Sequence, residues 1–422
     1  MFSALFKVIL LFLLILFSQC TSHRSTNLSK NKSFTIAKED QLNAQFYFYK
    51  NNDTSSTQYV LLNTSPLLYA RLDTGLQFYA SIKINTFLYS LSKNTLTDSS
   101  SKTFFIPNNQ QNFFTQFPIR TSNDNYSVKI IISDLNKKVQ YTYFTELKLN
   151  NESTRNNFLI TLNDNVLFKP YVYQNNEVKI YHHKKLPQLY VDVFKYTHSP
   201  APPPFSNINP SFNYLPDSSF TLSLTNNQFY TLKIQSNVFY HIRTNTNSLD
   251  GLTVFSIDSI FPNIKDAREM LYTSRYIMNK NEFERCNNTK NIDETKKCID
   301  NFWIQISGSK ERAKEVIKNY YQRVIEANRL FTSYKYGWQT DRGMIYIIFG
   351  MPENIEKSYT TEKWFYSVNG VKNALVFTFQ KNKNNPFTSS DFILERSDYY
   401  KDLWYIQVEK IRQGRLTNYG NK

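Results

Sequence analysis

The stretch that decides the fold reads GWQTDRG over residues 337–343 and continues as MIYIIFGMPE over residues 344–353. The chain has only nine glycines, and three of them fall in this stretch. Only Gly75 lies before residue 250, so the first half of the chain must make its turns from Asn, Asp, Ser and Pro. Glycine is needed where the backbone adopts positive φ or approaches another group closely. The stretch therefore indicates an unusual backbone.

The residues around these glycines predict two turns followed by a strand. Thr340 or Asp341 is expected to bond backbone N–H groups in the first turn, after Gly337, and a second turn is expected at Gly343. Residues 344–349 are all apolar or aromatic, which predicts a strand covered on both faces. The glycine and proline that follow are expected to end this strand.

The stretch resembles the GWxTD-domain family of bacterial envelope proteins, and all five signature positions match. The Arg-Gly that follows, the hydrophobic segment and the ending Gly-x-Pro-Glu also look like that family. The residues that carry the resemblance are Gly337, Trp338, Thr340, Asp341, Arg342, Gly343, Gly350, Pro352 and Glu353. The resemblance implies a GWxTD domain over residues 257–422 and no particular reaction, because no established activity comes with the family.

Composition and charge indicate a folded chain of several domains. The 422 residues are 41% hydrophobic and 16% aromatic, which is ample for real cores and unlike a disordered chain. The formal net charge is +16. The basic residues are dispersed, with no long Lys/Arg block and no nucleic-acid module, so a solvated basic envelope protein is favoured over a nucleic-acid-binding one.

The N-terminus resembles a secretory signal of the lipoprotein type. Lys7 precedes an apolar run over residues 8–17, and Cys20 follows shortly behind. Ten apolar residues are too few to cross a bilayer as a helix, which needs about 20, but they suit a signal peptide over residues 1–20. Lipidation of Cys20 would anchor the chain in a membrane. Gln19 departs from the usual small residue before that cysteine, so simple secretion and an uncleaved anchor stay open.

The other two cysteines, Cys286 and Cys298, lie in one polar segment. In an oxidising periplasm such a pair is expected to form a disulfide, and two unpaired thiols are the alternative. Zinc is not expected, because all five histidines lie upstream and there is no second cysteine pair. No metal and no other cofactor is predicted.

The chain between these landmarks is predicted to be mostly β with a C-terminal α/β (α+β) domain. A polar stretch over residues 21–36 is expected to be a flexible tether. Period-two alternation and polar turn clusters predict two β-sandwich domains, over residues 37–150 and 151–256. Within the second, a strand is expected over Val166–Tyr173, and a proline-rich segment at 200–204 is either a stiff connection or a peptide ligand.

After residue 257 the periodicity becomes helical. Helices are predicted over Ile264–Lys280, Asp293–Ile306 and from the cap Ser309 to Phe331. Asn369-Gly370 indicates a hairpin, and a last helix is expected from about Tyr399 to Gln413. All four tryptophans lie in this region, so the densest core is expected here.

The sequence contains no recognisable catalytic motif. Asp341 and Glu353 are carboxylates capable of acid–base work, but Asp341 is equally expected to cap its turn, with Arg342 paired to a carboxylate. Trp338 either stacks on a sugar or peptide or fills the core.

Two functions remain open. The favoured hypothesis is a non-enzymatic envelope lipoprotein, on the periplasmic side of the outer membrane, whose sandwiches present the GWxTD domain to a protein partner or cell-wall polymer. The alternative is a hydrolase acting on envelope carbohydrate or peptide through the carboxylates near the signature turn.

Overall fold

A computed structural model describes residues 34–37, 42–71, 77–208, 214–226, 228–368 and 370–415. The expected signal segment with Cys20, and the expected tether as far as residue 33, lie outside these ranges. Within the described residues, no helix is long and apolar enough to cross a bilayer.

Residues 42–149 form the first β-sandwich. Its strands are β2 (Gln45–Asn52), β3 (Ser55–Asn63), β4 (Ala70–Arg71), β5 (Phe78–Ser90), β6 (Thr95–Pro107), β7 (Asn112–Arg120), β8 (Asn125–Asp134) and β9 (Val139–Lys148). One sheet has the order β2-β3-β7 and the other β4-β5-β8-β9, with β6 paired to β5. Val60 from the first sheet and Ile82 and Ile130 from the second belong to one buried cluster. The two sheets therefore share a core, as a sandwich requires.

The second sandwich follows directly. Its strands are β10 (Phe158–Leu162), β11 (Asn165–Val166), β12 (Tyr171–Tyr173), β13 (Glu177–His182), β14 (Gln188–Lys195), β15 (Ser218–Ser223), β16 (Tyr230–Lys233), β17 (Val238–Arg243) and β18 (Leu252–Ile257). They form sheets of order β11-β10-β13-β16 and β12-β18-β17-β14-β15. The prediction of one strand over Val166–Tyr173 is wrong: β11 and β12 lie in different sheets, and Pro170, which lacks an N–H group, stands between them.

Strands β17 and β18 are buried along their whole length. On one face, Tyr240 and Val254 belong to the core of the second sandwich. On the other face, Phe239 and Phe255 belong to a separate aromatic cluster, which also contains Phe387 of the C-terminal domain. These two strands of the second sandwich are therefore covered on both faces.

The C-terminal domain combines six helices with a sheet. The helices are α1 (Ala267–Thr273), α2 (Lys280–Asn287), α3 (Ile292–Ser307), α4 (Lys310–Phe331), α5 (Asp341–Phe349) and α6 (Tyr400–Arg412). The strands are β19 (Asn354–Lys357), β20 (Thr361–Val368), β21 (Val371–Lys381) and β22 (Phe392–Leu394). The predicted mostly-β fold with a mixed C-terminal domain is confirmed.

The single helix predicted over Ile264–Lys280 is wrong in extent. The helix α1 ends at Thr273, a 3₁₀ turn covers Ser274–Tyr276, and α2 begins a new helix. Asn279 starts α2 with a capping box, in which its side chain accepts from the Glu282 N–H and the Glu282 side chain accepts from its own N–H. A capping box fixes a helix start, so the apolar period across this break comes from two helices.

The strand expected over residues 344–349 is wrong: these residues form the body of helix α5. Every residue from Gly343 to Phe349 is buried. A helix that is buried all round is hydrophobic all round, so its sequence carries no 3.6-residue period to distinguish it from a buried strand. The physical signal for a helix was the cap at Thr340 rather than the apolar run.

The sheet of the C-terminal domain contains a strand from the N-terminal part of the chain. The sheet order is β1-β19-β20-β21-β22, where β1 is Phe34–Ala37. Strands β1 and β19 run antiparallel, with Phe34 opposite Lys357 and Ala37 opposite Asn354. The expectation that the tether continues to residue 36 is therefore wrong for its last three residues, because backbone pairing with a distant strand orders them.

Candidate functional site

Two glycines of the signature let three backbone segments touch. A 3₁₀ turn, Gly337–Gln339, lies between α4 and α5. A Cβ atom at Gly337 would lie 1.9 Å from the Ala327 carbonyl oxygen in α4, and one at Gly343 would lie 1.9 Å from the Gly337 oxygen. Neither glycine is among those with positive φ. They are required because there is no room for a side chain, and they set the distances between α4, the turn and α5.

Trp338 is a core residue, with 4% of its surface exposed. Its backbone N–H donates to Asn328 Oδ1 at 3.2 Å, and its backbone carbonyl oxygen accepts from the Tyr276 hydroxyl at 2.7 Å. Its ring belongs to the main cluster of the domain. An indole in this position has no open face for stacking on a sugar or peptide, so its contribution is to packing.

Thr340 begins α5. Its Oγ1 accepts from the Gly343 N–H at 3.0 Å and donates to the Gly337 carbonyl at 2.7 Å. One hydroxyl therefore closes the turn and caps the helix, which is the usual contribution of an N-cap threonine.

Asp341 does not cap the turn, contrary to one expectation from its sequence position. Its carboxylate instead forms a bidentate ion pair with Arg396. The distance from Oδ1 to Nη2 is 2.7 Å, and the distance from Oδ2 to Nη1 is 3.0 Å. Oδ2 also accepts from the Leu394 N–H at 2.8 Å. Both side chains are 5% exposed. Such a buried, paired carboxylate holds β22 and the following loop against α5.

Arg342 is paired to a carboxylate, as expected, and the partner is Glu362 at 3.2 Å. Its other terminal nitrogen donates to the Ser390 carbonyl at 2.6 Å, and its guanidinium lies 4.7 Å from the ring centroid of Phe392. Burial alone would raise the pKa of Glu362, but the cations of Lys357 and Arg342 outweigh it and hold that pKa below its ordinary value. Glu362 is therefore a carboxylate at neutral pH.

The end of the signature is also engaged internally. Gly350 ends α5 with a φ of 80°, and its carbonyl oxygen accepts from the Tyr366 hydroxyl at 2.9 Å. Pro352 is buried, and Glu353 Oε2 accepts from the Ser367 hydroxyl at 2.7 Å. Asp341 and Glu353 thus have different hydrogen-bond partners.

The proline-rich segment runs along this site as a connection. Gln339 Nε2 donates to the Thr197 carbonyl at 2.6 Å and to the Ser199 carbonyl at 3.1 Å. Arg396, while paired to Asp341, also donates to the Pro202 carbonyl at 3.1 Å. The signature therefore joins the second sandwich to the C-terminal domain, which accounts for the prolines as a stiff link.

A small space lies beside Trp338 and brings in a histidine that sequence reasoning did not connect with the signature. It is lined by Tyr196, His198, Asp258, Ile260, Phe261, Asn263, Ile264, Lys265, Glu269, Thr273, Asn328, Tyr336 and Trp338, and its volume is about 10 Å³. Burial raises the pKa of Glu269 and lowers the pKa of His198. The space is only about the size of one water molecule, too small for a substrate. A search for histidine confined to the C-terminal domain misses His198, which comes from the connection.

A much larger groove, of about 710 Å³, lies between the first sandwich and the C-terminal sheet. Arg342, Lys357, Glu362 and Phe392 line one side, and β9 with its neighbours lines the other. At one end Glu146 of β9 accepts from Lys381 Nζ at 3.0 Å and from the Tyr359 hydroxyl at 2.5 Å. Although burial would raise it, Lys381 and Lys148 hold the pKa of Glu146 below its ordinary value. We call this the interdomain groove.

Cys286 and Cys298 are joined in a disulfide between α2 and α3. In the described part of the chain, no group of three or more His, Cys, Asp or Glu side chains is arranged to hold a metal ion. Other partners of the signature were not evident from the sequence: Arg323 and Gln407 donate to the carbonyl oxygens of Ile347 and Ile348 at the end of α5. No local pattern points to them, because they act across 24 to 59 positions of sequence.

The fold and the signature define a class of β-rich, multidomain proteins with a C-terminal helix-and-sheet domain built around a buried turn. Residues 238–413 match the sequence model of the GWxTD domain. This part of the chain therefore carries a GWxTD domain, as the signature predicts. The match begins at β17, inside the second sandwich, and so includes the two strands that are covered on both sides.

No curated protein matches the chain. Among solved structures, a protein from Bacteroides fragilis described as a beta-galactosidase has 13% identity and a TM-score of 0.18, over 31% of this chain and 20% of that one. The chain therefore spans about a fifth of that protein. CBD12 from CALX1.2 has 14% identity and a TM-score of 0.15, over 53% of this chain and 87% of that chain. The calcium binding domain CBD12 of CALX1.1 has 14% identity and a TM-score of 0.16, over 49% and 83%.

Proposed function

We propose that the chain is a cell-envelope protein that works as a non-enzymatic binding or assembly module. In this proposal, lipid on Cys20 anchors it in the outer membrane on the periplasmic side. The two sandwiches act as spacers that present the GWxTD domain to a protein partner or cell-wall polymer.

The observation that carries the proposal is the internal engagement of the signature. Asp341 is bonded on both carboxylate oxygens and is 5% exposed, and Trp338 is in the core. A general acid or base must reach a proton on its substrate, and Asp341 has no open approach. The interdomain groove, by contrast, is open and is lined in part by Arg342, which supports the proposal that the signature maintains the shape of a binding surface.

The hydrolase alternative gains no supporting geometry from the described residues. Its two candidate carboxylates, Asp341 and Glu353, are bonded to different partners, Arg396 and Ser367. Two carboxylates that act together in glycoside hydrolysis flank one bond. A stable, correctly folded Asp341→Asn protein that has lost its cellular function would nevertheless overturn the proposal in favour of catalysis.

Crosslinking of intact cells, followed by purification of the full-length chain from membranes, tests the proposal. We expect a protein or wall polymer to copurify with the wild type. Metabolic labelling with a fatty-acid analogue should mark the wild type, and Cys20→Ala should remove the label and release the chain from membranes. Absence of label from the wild type would refute the anchor, and absence of any crosslinked partner would refute the binding module.

A further inference from the structure

The edge of β19 is filled by a strand from the opposite end of the chain. All four residues of β1 pair with β19, from Phe34 opposite Lys357 to Ala37 opposite Asn354. Strand β1 is the outermost strand of its sheet, so it is held by backbone pairing on one side only. Short edge strands of this kind are the least firmly held part of a sheet.

The edge itself is positioned without β1. On its other side β19 pairs with β20, with Ile355 opposite Trp364, and Trp364 is 2% exposed. The strand starts directly after the signature, and the Glu353 N–H donates to the Phe365 carbonyl at 2.9 Å. The signature and the β20–β21 hairpin therefore set a row of backbone N–H and C=O groups that can accept any extended strand.

Strand β1 is also separate from the sandwich that follows it in sequence. It precedes the first sandwich in sequence and contributes to neither of its sheets. Residues 21–33 before it are mostly Ser, Thr, Asn, Lys and Arg, with little apolar surface to bury elsewhere. Displacement of β1 would therefore leave the strand pairing within both sandwiches unchanged.

We propose that the edge of β19 is a strand-docking site, occupied by β1 in the isolated chain and by an extended segment of a protein partner in the assembled state. The inference rests on the proposed function and defines its partner as a protein with a free β-forming segment. That segment runs antiparallel to β19. By the register of the chain's own strand, it places an apolar or β-branched residue opposite Ile355, where β1 has Ile36.

Opening the site in the full-length chain tests the proposal. Thr35→Pro/Ile36→Pro removes two successive backbone N–H groups, and one of any two neighbours in a strand points toward the paired strand. The probe is a fluorescein-labelled peptide with the sequence of residues 31–40, NKSFTIAKED. We expect it to bind the opened variant about tenfold or more tighter than the wild type, because the competing strand is gone. Lys30→Pro/Asn31→Pro is the matched control and should behave as wild type.

A second variant keeps the test decisive if the opened chain folds poorly. Thr35 lies opposite Glu356, so Thr35→Cys/Glu356→Cys should crosslink β1 onto the edge. The oxidised form should not bind the peptide, whereas the Thr35→Cys single variant should bind it as the wild type does. Hydrogen exchange should show that the amides of residues 354–357 that face β1 are exposed in the opened variant and are protected again by peptide.

Three results with the purified chain would overturn the inference. The first is a folded, opened variant that does not bind the peptide, and the second is equal binding of a peptide with proline at both central positions. The third is a stable dimer of the opened variant by light scattering, which would make a second copy the occupant. If crosslinked cells yield a partner equally well with the locked chain, the binding module survives and the docking site fails. If they yield none, the proposed function fails whatever the peptide does.

Discussion

The turns of the sandwiches and the backbone of the signature have different requirements, and different residue types meet them. Of the nine non-glycine residues with positive φ in the described chain, eight lie before residue 257, and six of the nine are Asn. Asn tolerates the left-handed conformation better than other residues with a side chain. The first two signature glycines, at 337 and 343, do not have positive φ but face other backbone atoms at 1.9 Å from a hypothetical Cβ. The comparison teaches that another residue can replace glycine where only a positive φ is needed. No other residue can replace it where there is no room for a side chain.

The strongest test of this comparison is Gly337→Ala. Its Cβ would overlap the Ala327 carbonyl near the C-terminal end of α4, and backbone cannot move aside as a side chain can. We expect a loss of roughly 5 kcal/mol or more in the free energy of unfolding, enough to prevent folding. Gly308→Ala is the matched control, because Gly308 has a φ of 77° and no neighbour within 4 Å; it should cost only about 1 kcal/mol. Similar losses from both, by chemical denaturation, would break the comparison.

Trp338→Ala should have the next largest effect. Removing a buried large aromatic side chain costs roughly 3–5 kcal/mol, and Trp338 lies in the main core. Thermal melts of the full-length chain would measure this loss, with Tyr405→Ala on exposed α6 surface as the control. A variant that melts like wild type but loses partner binding would place Trp338 in a binding surface instead.

Asp341→Asn should destabilise the chain by about 3 kcal/mol, because it leaves the Arg396 guanidinium buried without its carboxylate. This is more than loss of a helix cap, which costs about 1 kcal/mol, so the size of the effect distinguishes the ion pair from capping. Thr340→Ala provides the capping comparison. Combining Asp341→Asn with Arg396→Met should recover part of the loss, and purely additive effects would contradict the pairing.

The disulfide should contribute about as much to the free energy of unfolding as the Asp341–Arg396 ion pair does. Cys286→Ser/Cys298→Ser opens a loop closed across 12 positions of sequence, and such a loop is worth about 3 kcal/mol by the chain-entropy account. Denaturation of the double variant beside the wild type would measure it. Peptide mapping of unreduced protein from its native compartment should find the two cysteines joined, and two alkylated thiols would refute the bond.

The smallest effect is expected in the sandwiches. Asn237→Gly, at a φ of 59°, should change stability by no more than about 0.5 kcal/mol, whereas Asn237→Ala should cost about 1 kcal/mol. If glycine were as damaging as alanine here, the side chain of Asn237 rather than its conformation would be what the turn requires.

The sequence predicted correctly those features that depend on local patterns of residues. Helix α4 begins after its cap Ser309 and ends at Phe331, as the period indicated, and the hairpin of β20 and β21 forms around Gly370. The GWxTD family match confirms the domain. Each of these depends on residues close together in the chain, where propensity and spacing act directly.

What the sequence could not predict depends on distant partners. Arg396 meets Asp341 across 55 positions, and β1 pairs with a strand near the other end of the chain. Neither residue type nor spacing marks such pairs in a single sequence. The strand prediction for the residues of α5 was wrong for a different reason. Because this helix is buried on every side, its sequence lacks the 3.6-residue hydrophobic period that would have identified it.

The complete burial of β17 and β18 bears on how the protein comes apart. One face of these two strands belongs to the sandwich core and the other to an aromatic cluster shared with Phe387, so separation of the two domains would expose the aromatic face. The second sandwich and the C-terminal domain should therefore melt in a single calorimetric transition. Limited proteolysis should find no early cut near residue 257, and a fragment beginning there should aggregate, whereas one beginning before Val238 keeps both strands.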